Sequence, residues 1–593
     1  MAAGSSRLAF GPIRFVAAPG ATLIDTSAVI DGSFRGGRVQ GLSVPIRGRL
    51  AGGGFAFGET CAPASFRRLD LETLAIGASR LSLCPTGRAL IYRAPGGAVQ
   101  GGAEVRNVRV AGTLGRSPIA LTAARARLNL AGPGFTGTDV SVRLGRDAGT
   151  HRLHVAQLAG RIIGRDVSGT FTGLDGKLAA VPLLISGGAG RWQVVSGDLS
   201  MTGRATIDDE RDPPRFNTMV SDDFRLTLAE NRIRTTATMK HPESGTPILH
   251  ATIDHDLRGG TGHADLDVPG INFALDGLQP ENLSRLAVGA VALVEGTVTG
   301  RGRIDWRPGS TTSTGTFATE GMNLAAAFGP VEGLSTTIEF TDLLRLESAP
   351  GQVARIDMIR AGIDIANGTV RYQVRPESRV QVEGGQWPLW GGEILLQPTL
   401  LDFSRPNTKY LTFQVVGLDA QQMLAQSGFT VVELTGIFDG VLPMEFDVRG
   451  GRIVGGRLEA RPGGGTLSYV AEVDRANMPL GTRIAFDALR SIRYNRLDIQ
   501  LDGALAGEFL SRIRLDGLTL ATRQNWLVRR FANIPFRFNI TVRGPLRAVI
   551  GITRDMKDPS VLIQPVLPPE LQGLPTTVTT TTQEEQQESE VQP

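Results

Sequence analysis

Residues 434–469 read LTGIFDGVLPMEFDVRGGRIVGGRLEARPGGGTLSY. Apolar and polar residues alternate here in short runs, and pairs or triplets of glycine separate the runs. Alternation of period two places successive side chains on opposite faces of a strand, and glycine readily adopts the positive φ angles that tight turns require. The segment contains no set of residues that could carry out a reaction. It predicts short antiparallel strands that are joined by turns.

The same alternation recurs downstream, most regularly in residues 536–543, FRFNITVR. Residues 498–502 (DIQLD) and 512–516 (RIRLD) repeat it more loosely. A strand with one apolar face and one polar face requires this pattern. The apolar positions of the three segments are therefore predicted to belong to an apolar face of one sheet: Phe536, Phe538, Ile540, Val542, Ile513, Leu515, Ile499 and Leu501.

Asn-Gly, Asp-Gly and Gly-Gly pairs favour hairpin turns, whose central residues have positive φ. We therefore predict turns at the following pairs: Asn367–Gly368, Gly384–Gly385, Gly450–Gly451, Asp502–Gly503 and Asp516–Gly517. Strands at intervals of about 8–12 residues, with few helices, predict a mostly β fold with a long, meandering antiparallel sheet. Roughly 45 strands stacked about 4.8 Å apart would extend over ~200 Å.

Two segments have helical periodicity instead. Residues 418–427 (LDAQQMLAQS) begin with Asp419 as a candidate N-cap, and residues 480–492 place apolar side chains on one stripe. Both are interpreted as lids that pack on the sheet, and the alternative is an amphipathic contact with a membrane. From Thr576 onward the chain is polar, acidic and low in complexity, which predicts a disordered tail.

The composition limits the possible functions. The chain has 593 residues, of which 75 are glycine, and aromatic residues make up 6%. Its 62 basic and 58 acidic residues are interspersed, which gives a net charge of +4. Without a dense basic tract, nucleic-acid binding is not expected. The longest apolar run, residues 286–294, is far shorter than the roughly 20 residues of a membrane-spanning helix.

The chain has two cysteines, Cys61 and Cys84. An even, small number at this separation is compatible with one disulfide in an oxidising compartment, and the alternative is two buried thiols. Neither cysteine has another Cys or His nearby at the spacing of a metal site.

Histidines and carboxylates are concentrated in residues 250–267. On a strand, His250 and Asp254 share one face while His255 points to the other, which is poor geometry for a metal. His151 and His154 likewise fall on opposite faces of a predicted strand. No Gly-x-Ser-x-Gly nucleophile motif occurs. We therefore predict neither an enzyme nor a bound metal or cofactor.

Residues 434–469 resemble the YdbH-like ("dicarboxylate transport" domain) family of AsmA- and TamB-type bacterial envelope proteins. In that family Gly-x-Leu-x-Gly-x-Leu-Pro leads to Gly-x-Leu-x-Ala-Arg-x-Pro-Gly-Gly and then to a Tyr. The matching residues include Gly436, Gly440, Pro443, Gly456, Arg461, Pro462, Gly463, Gly464 and Tyr469. Similar segments on both sides extend the resemblance over about residues 387–546.

The resemblance implies an open, twisted sheet that forms an elongated apolar groove. It also implies intermembrane phospholipid transport across the periplasm of a Gram-negative cell, which supports outer-membrane integrity without catalysis. The implied location is the cell envelope, with an inner-membrane anchor helix that this chain does not show. The implied partners are phospholipids, a small YnbE-like outer-membrane lipoprotein that adds a strand, and a YdbL-like periplasmic protein.

On this interpretation, residues 1–150 are an N-terminal groove segment that is truncated at its start, and residues 151–386 are a central groove segment. Residues 387–560 form a YdbH-like C-terminal domain, and residues 561–593 are the disordered tail. Two alternatives stay open. One is a TamB-like scaffold that assists assembly of outer-membrane or secreted proteins. The other is a β-solenoid polysaccharide-active enzyme or adhesin, although the five Trp and five Tyr are dispersed.

Overall fold

The computed structural model describes residues 2–545, apart from residues 4–5, 35–36, 72–73, 116, 146–149, 165, 179–182, 286–290, 327–328, 361–363, 406, 428–431, 448–449, 470–491, 506 and 521–535. The described residues are mostly strand, about 77%, with 3% helix. The predicted long antiparallel sheet with few short helices is therefore confirmed. The predicted tail, and residues 480–491 of the second predicted helix, lie outside the described residues.

The strands before residue 196 are β1 (Ala2–Ala3), β2 (Ser6–Phe10), β3 (Arg14–Ala18), β4 (Ala21–Phe34), β5 (Gly37–Ala51), β6 (Gly54–Phe57), β7 (Ala62–Phe66), β8 (Arg68–Leu71), β9 (Leu74–Ile76), β10 (Ser79–Pro85), β11 (Ile91–Arg93), β12 (Val99–Gln100), β13 (Gly102–Leu114), β14 (Ser117–Asn129), β15 (Gly134–Leu144), β16 (His151–Ile163), β17 (Asp166–Leu178) and β18 (Leu183–Val195).

The elements that follow are β19 (Asp198–Asp209), β20 (Met219–Ala229), β21 (Arg232–Lys240), β22 (Pro247–Asp256), β23 (Thr261–Phe273), α1 (Pro280–Leu283), β24 (Ala292–Arg307), β25 (Ser310–Ala326), β26 (Gly329–Asp342), β27 (Glu347–Ser348), β28 (Gln352–Arg360), β29 (Asp364–Arg375) and β30 (Arg379–Leu389). The last elements are β31 (Gly392–Leu396), β32 (Thr399–Asp402), β33 (Lys409–Asp419), α2 (Ala420–Ser427), β34 (Val432–Leu434), β35 (Ile437–Asp447), β36 (Gly450–Ala460), β37 (Gly465–Tyr469), β38 (Ile492–Tyr494), β39 (Arg496–Ala504), β40 (Glu508–Leu520) and β41 (Phe536–Pro545).

From β13 to β26 each strand pairs antiparallel with the next, so the chain runs back and forth across one continuous sheet. Before β13 most strands are shorter, except β4 and β5, and β4 pairs with β2 and β3 along one edge and with β5 along the other. Near the C-terminus β35, β36, β39, β40 and β41 continue the main sheet. A small second sheet joins β34, β37, β38 and the end of β40.

Four of the five predicted turns are wrong, because the chain continues through them as a strand. Asn367–Gly368 lies within β29, where Asn367 has a φ of 57°. The glycines of two further pairs, Gly384 in β30 and Gly503 in β39, also have positive φ. Asp516–Gly517 lies within β40, beside a register shift. The positive φ that the pairs favour therefore produces bends and bulges of continuing strands here, rather than chain reversals.

A bend divides the long strands into two arms. In β13 the φ of Asn107 is 51°; Val105 and Val108 on either side are both half-buried, whereas Arg106 and Asn107 between them are both exposed. Alternation is therefore interrupted for one step at the bend. The same feature recurs at comparable positions of β15, β17 and β18, and we call the four positions the bend line: Asn107, Asp139, Gly173 and Gly187.

Side chains on neighbouring strands satisfy backbone amides at several glycines with positive φ. The Gly187 amide donates to Asp175 Oδ1 over 3.1 Å, and the Gly417 amide donates to Asp439 Oδ1 over 2.8 Å. Two further glycines are capped in the same way, Gly41 by Asp31 and Gly455 by Asp502. In each case a carboxylate on a neighbouring strand supplies a hydrogen-bond acceptor for the amide at a bend.

Buried apolar clusters lie in the later part of the chain, between Ile248 and Leu515. Exposed large apolar side chains are instead most frequent before Val195. The helix predicted over residues 418–427 is observed as α2, and its cap is the predicted one, since the Gln421 amide donates to Asp419 Oδ1 over 2.8 Å. Met423 and Leu424 of α2 pack against the buried cluster that contains Leu418, Phe438 and Leu515, so α2 covers the sheet there as a lid.

A disulfide joins Cys61 and Cys84, whose Cα atoms are 4.0 Å apart. The two cysteines lie next to the last pair of the β7–β10 ladder, Ala62 and Leu83. The bond therefore links two neighbouring strands of the N-terminal part of the sheet. Such bonds persist in oxidising compartments.

Candidate functional site

The two faces of the sheet differ in chemistry. Directly opposite residues on paired strands lie on the same face, so the register can be followed from β13 to β16. One row across these four strands is apolar: Val110, Leu121, Val142 and Leu153. The adjacent row on the other face is polar: Arg109, Thr122, Ser141 and His154. We call the face of the first row the inner face and that of the second row the outer face.

Ion pairs cover the outer face. Glu104 on β13 accepts hydrogen bonds from Arg106 Nε and Arg127 Nε, each over 2.6 Å, and Arg125 Nε lies 3.6 Å away. The hydrogen bonds from Arg106 and Arg127 lower the pKa of Glu104 to about 2. Similar pairs follow along the sheet and keep this face in contact with water, among them Arg232–Asp254, Arg303–Asp265, Arg360–Glu332 and Arg457–Asp498.

Two histidines show which face is concave. The ring centroids of His151 on β16 and His255 on β22 are 6.2 Å apart, although the five strands β17 to β21 lie between them in the sheet. Both belong to the inner face, because His151 pairs with Leu144 and His255 with Ile233. Side chains so far apart along a sheet meet only on the concave side of a strongly coiled one. The inner face therefore lines a groove.

The environment of these histidines disfavours their charged form. Burial lowers the pKa of His151, and the neighbouring His255 lowers it further. Burial also lowers the pKa of His255, although a backbone hydrogen bond with Thr261 and the nearby Asp256 and Asp254 oppose it. The Trp306 Nε1–H donates to His255 Nδ1 over 3.1 Å, and this bond requires an unprotonated Nδ1.

Aromatic rings on the inner face lie above glycines of the neighbouring strands. Phe171 on β17 is 1% exposed, and its ring lies 6.4 Å from that of Phe224 on β20. The register places Gly190 of β18 and Gly203 of β19 in the row between them. Because the glycines have no side chains, the two rings approach each other over the bare backbone, and the groove wall stays apolar and closely packed.

The register brings the apolar residues predicted near the C-terminus into adjacent rows. Ile499, Ile513 and Ile540 are directly opposite one another on β39, β40 and β41. Neighbouring rows contain Leu515 with Phe538 and Leu501 with Val542, while Phe536 pairs with Leu518 beyond a register shift. Leu515 is 1% exposed in the buried cluster that also contains Leu418 and Phe438, and Ile499, Leu501 and Ile513 pack against that cluster.

Arg461, in the segment 434–469, supports the bend of β33 at Gly417. Its Nε and Nη2 donate to the two carboxylate oxygens of Asp439, each over 2.7 Å. Asp439 in turn accepts from the amide of Gly417, which has a φ of 70°. The hydrogen bonds from Arg461 contribute most to lowering the pKa of Asp439. Arg461 thus orients the carboxylate that caps the bent strand β33.

The motif glycines make room for Tyr494. This side chain is fully buried, its hydroxyl donates to the Thr435 carbonyl, and burial raises its pKa to about 12. A Cβ on Gly436 would lie 2.5 Å from Tyr494 Oη, and one on Gly464 would collide with the Tyr494 carbonyl oxygen. The other motif residues are Gly440 and Pro443 in β35, Gly456 in β36, Pro462 and Gly463 in the turn after β36, and Tyr469 in β37.

Sequence reasoning missed the contact between His151 and His255. It assigned His255 to the face opposite His250 and Asp254, and the register agrees, since His250 pairs with Thr238 and Asp254 with Arg234 on the outer face. Yet no sequence signal brings together two histidines that are separated by five strands. Their contact results from the coiling of the whole sheet.

Of the residues that the structure describes, none belongs to a helix long and apolar enough to cross a membrane. The same residues contain no group of three His, Cys, Asp or Glu side chains arranged to hold a metal ion. The candidate site is therefore the apolar groove itself, bounded by bent strands and a charged outer face.

A family model described as YdbH-like, intermembrane phospholipid transport protein YdbH, matches residues 5–565. The chain belongs to the YdbH-like family. The resemblance inferred from residues 434–469 is thus confirmed over nearly the whole chain. YdbH-like proteins are intermembrane phospholipid transport proteins of the envelope, and nothing favours the scaffold or β-solenoid alternatives. No curated protein matches the chain, and no solved structure matches it.

Proposed function

We propose that this protein carries phospholipids between two membranes with their acyl chains against the inner face and their headgroups in the slit between the strand ends. The apolar row from Val110 to Leu153, backed by a polar outer row, carries this proposal. Each CH₂ group removed from water contributes about 0.8 kcal/mol, and the effect has no preferred direction. A lipid that slides along the groove therefore exchanges one set of apolar contacts for an equivalent set.

The depth of the groove suits an acyl chain. Asn107 divides β13 into arms of residues 102–106 and 108–114. At about 3.3 Å per residue these arms span roughly 17 and 23 Å. One leaflet of a bilayer, half of the ~30 Å hydrocarbon core, is about 15 Å thick. Each arm is therefore long enough to cover the acyl chains of one leaflet.

Neighbouring residues on β14 provide a matched test. Leu121 faces the groove and is half-buried, whereas Thr122 is exposed on the outer face. We expect lipid to co-purify with the native protein and with Thr122→Asp, and to be lost from Leu121→Asp, because a carboxylate in the groove disfavours apolar contacts. Mass spectrometry of extracted lipid is the readout, and circular dichroism checks that both variants fold. Equal lipid on both folded variants would rule out this binding face.

We propose that the eight apolar residues predicted near the C-terminus line the end of the groove within a YdbH-like domain of residues 387–560. Among the described residues, β41 pairs only with β40, and the other edge of such a strand can pair with a further strand. A YnbE-like outer-membrane lipoprotein is proposed to add a strand there, which would extend the groove, and a YdbL-like periplasmic protein is a further proposed partner. Photocrosslinkers on β41 should capture the lipoprotein, whereas crosslinkers on β20 should not.

We further propose that the protein works in the periplasm, anchored at the inner membrane, and that it supports outer-membrane integrity without catalysis, metal or cofactor. The Cys61–Cys84 disulfide supports an oxidising location. Thiol labelling of whole cells after rapid acid quenching should find both cysteines oxidised. Reduced cysteines in the native protein would count against the periplasmic location.

A further inference from the structure

The strand ends form two rims along the groove. The first rim consists of the connections that follow the odd-numbered strands β13 to β25, and the second rim consists of those that follow the even-numbered strands β14 to β26. Since neighbouring strands are antiparallel, connections on the same rim lie at the same side of the sheet. The slit in which headgroups are proposed to lie runs between the two rims.

Three contacts join the first rim to the second. Gly115 follows β13 on the first rim, and a Cβ placed on it would lie 2.8 Å from Oδ1 of Asn231, which follows β20 on the second rim. His151 at the first-rim end of β16 contacts His255 at the second-rim end of β22. Arg215, which follows β19, donates from Nη1 to the carbonyl oxygen of Leu344, which follows β26, over 3.0 Å.

The three contacts follow one another along the sheet. The ends of β13, β16 and β19 on the first rim meet the ends of β20, β22 and β26, respectively, on the second rim. In a flat sheet, strands six positions apart would be about 29 Å from each other. The strand pairings also place the His151 end of β16 on the same side of the sheet as the Pro247 end of β22. His255 lies at the opposite end of β22, so a flat sheet would separate the two histidines along the strand direction as well. The rims meet because the sheet coils, and together the three contacts form a seam that closes the slit.

The seam is held by specific side chains. Arg215 is oriented by a two-point ion pair with Asp209, in which Nε–Oδ2 is 2.8 Å and Nη2–Oδ1 is 2.9 Å. The Asp209 side chain is fully buried. Burial raises the pKa of Asp209, but hydrogen bonds from Arg215 and from the Arg215 and Arg211 amides outweigh this effect and lower it overall. Arg215 is thus positioned to reach across the slit to Leu344.

We propose that this seam is a gate that must open each time a phospholipid headgroup passes, a proposal that rests on the proposed function. In the proposed mode of binding the acyl chains lie against the inner face beneath the rims, whereas a zwitterionic or anionic headgroup is costly to bury without partners. A headgroup that travels in the slit therefore meets the contacts at Gly115, His151 and Arg215 in succession. Parting the rims breaks these contacts while the backbone ladders of the sheet stay intact.

A covalent tether across the seam tests the gate. Gly115→Cys with Asn231→Cys places two thiols on opposite rims, where a short cleavable crosslinker can join them. The control pair, Thr236→Cys with Thr252→Cys, lies directly opposite on β21 and β22 on the outer face, so its tether does not cross the slit. The native Cys61–Cys84 disulfide leaves no other free thiol. The assay follows a fluorescent phospholipid that moves from donor vesicles to acceptor vesicles with the full chain.

We expect the seam tether to reduce transfer at least tenfold, cleavage of the crosslinker to restore it, and the control tether to leave it unchanged. Lipid already bound should still co-purify with the tethered protein, since the inner face is unaltered. Undiminished transfer through the tethered seam would overturn the gate while leaving the proposed function in place. A folded, untethered protein that neither binds nor transfers lipid would overturn the proposed function, and the gate with it.

Discussion

The ring of Phe135 lies 5.9 Å from the ring of Trp192, although β16 and β17 separate their strands. Gly160 and Gly169 occupy the same row on the two intervening strands, so the rings meet over a stretch of wall without side chains. The Trp192 Nε1–H donates to the Ala159 carbonyl over 3.1 Å and fixes the indole on this wall. The arrangement repeats that of Phe171 and Phe224 on the adjacent strands, so glycine rows are part of how the groove is packed.

A larger residue at Gly160 should destabilise the protein. A Cβ there would lie 2.6 Å from Phe135 Cζ and 2.9 Å from Trp192 Cζ2. Although Val is usually a better strand residue than Gly, this overpacking should make Gly160→Val less stable by about 1–3 kcal/mol. Denaturant unfolding measures the difference. Thr136→Val on the exposed outer face is the control, and a stability equal to that of the control would contradict the packing described.

Removal of a buried ring should have a larger effect. Phe171 is almost completely buried against Phe224, so Phe171→Ala should lower the free energy of unfolding by about 3–5 kcal/mol through lost burial and a residual cavity. Its neighbour Thr172 is exposed, and Thr172→Ala should change stability by no more than about 0.5 kcal/mol. Thermal unfolding of the two variants in parallel distinguishes them. Similar midpoints would show that the ring is not part of the packed wall.

The capping carboxylate at Gly417 should matter more for its oxygen than for its charge. Asp439→Ala leaves the Gly417 amide and Arg461 without their partner and should cost about 1–3 kcal/mol. Asp439→Asn keeps an oxygen that can accept from the amide and should cost less. Hydrogen exchange at the Gly417 amide is the direct measurement. Faster exchange in the alanine variant than in the asparagine variant is expected, and equal rates would refute the capping role.

The histidine contact predicts loss of stability in mild acid. Both folded-state pKa values lie below the ordinary value of 6.5, so the unfolded chain takes up protons first as the pH falls. Stability should therefore decrease as the pH drops through 6.5 and level off below the folded-state pKa values. The double variant His151→Gln, His255→Gln should show a flatter dependence in urea unfolding. Thr172→Ala, which removes no titratable group, is the control and should retain the native dependence.

The sequence predicted the strands well because period two is a local property. Residues 512–516 and 536–543 alternate, and they form adjacent strands with matching apolar rows. The bends were mistaken for turns because Asn367–Gly368 favours positive φ in both settings, and the local sequence does not state whether the chain then reverses or continues. Longer-range pairing decides that, and it also makes the strands longer than the predicted spacing.

The groove as a surface was predictable, but its seam was not. Which residues face inward follows from alternation once the bend positions are known. The meeting of His151 with His255 instead depends on a twist that accumulates over six strand-to-strand steps, each of roughly 20–25° on average. Small differences in each step move the rims by many ångströms, so no pair of sequence positions reveals the contact.

Each bend is made locally, by one residue with positive φ and, at several glycines, one carboxylate on the next strand. A hairpin that carries its own bend can therefore be inserted or deleted without a change in the cross-section of its neighbours. The length of the groove can therefore change in increments of one hairpin, and the two strands of a hairpin add roughly 10 Å. Duplication of a single hairpin would then lengthen the groove without altering the strands on either side of the insertion.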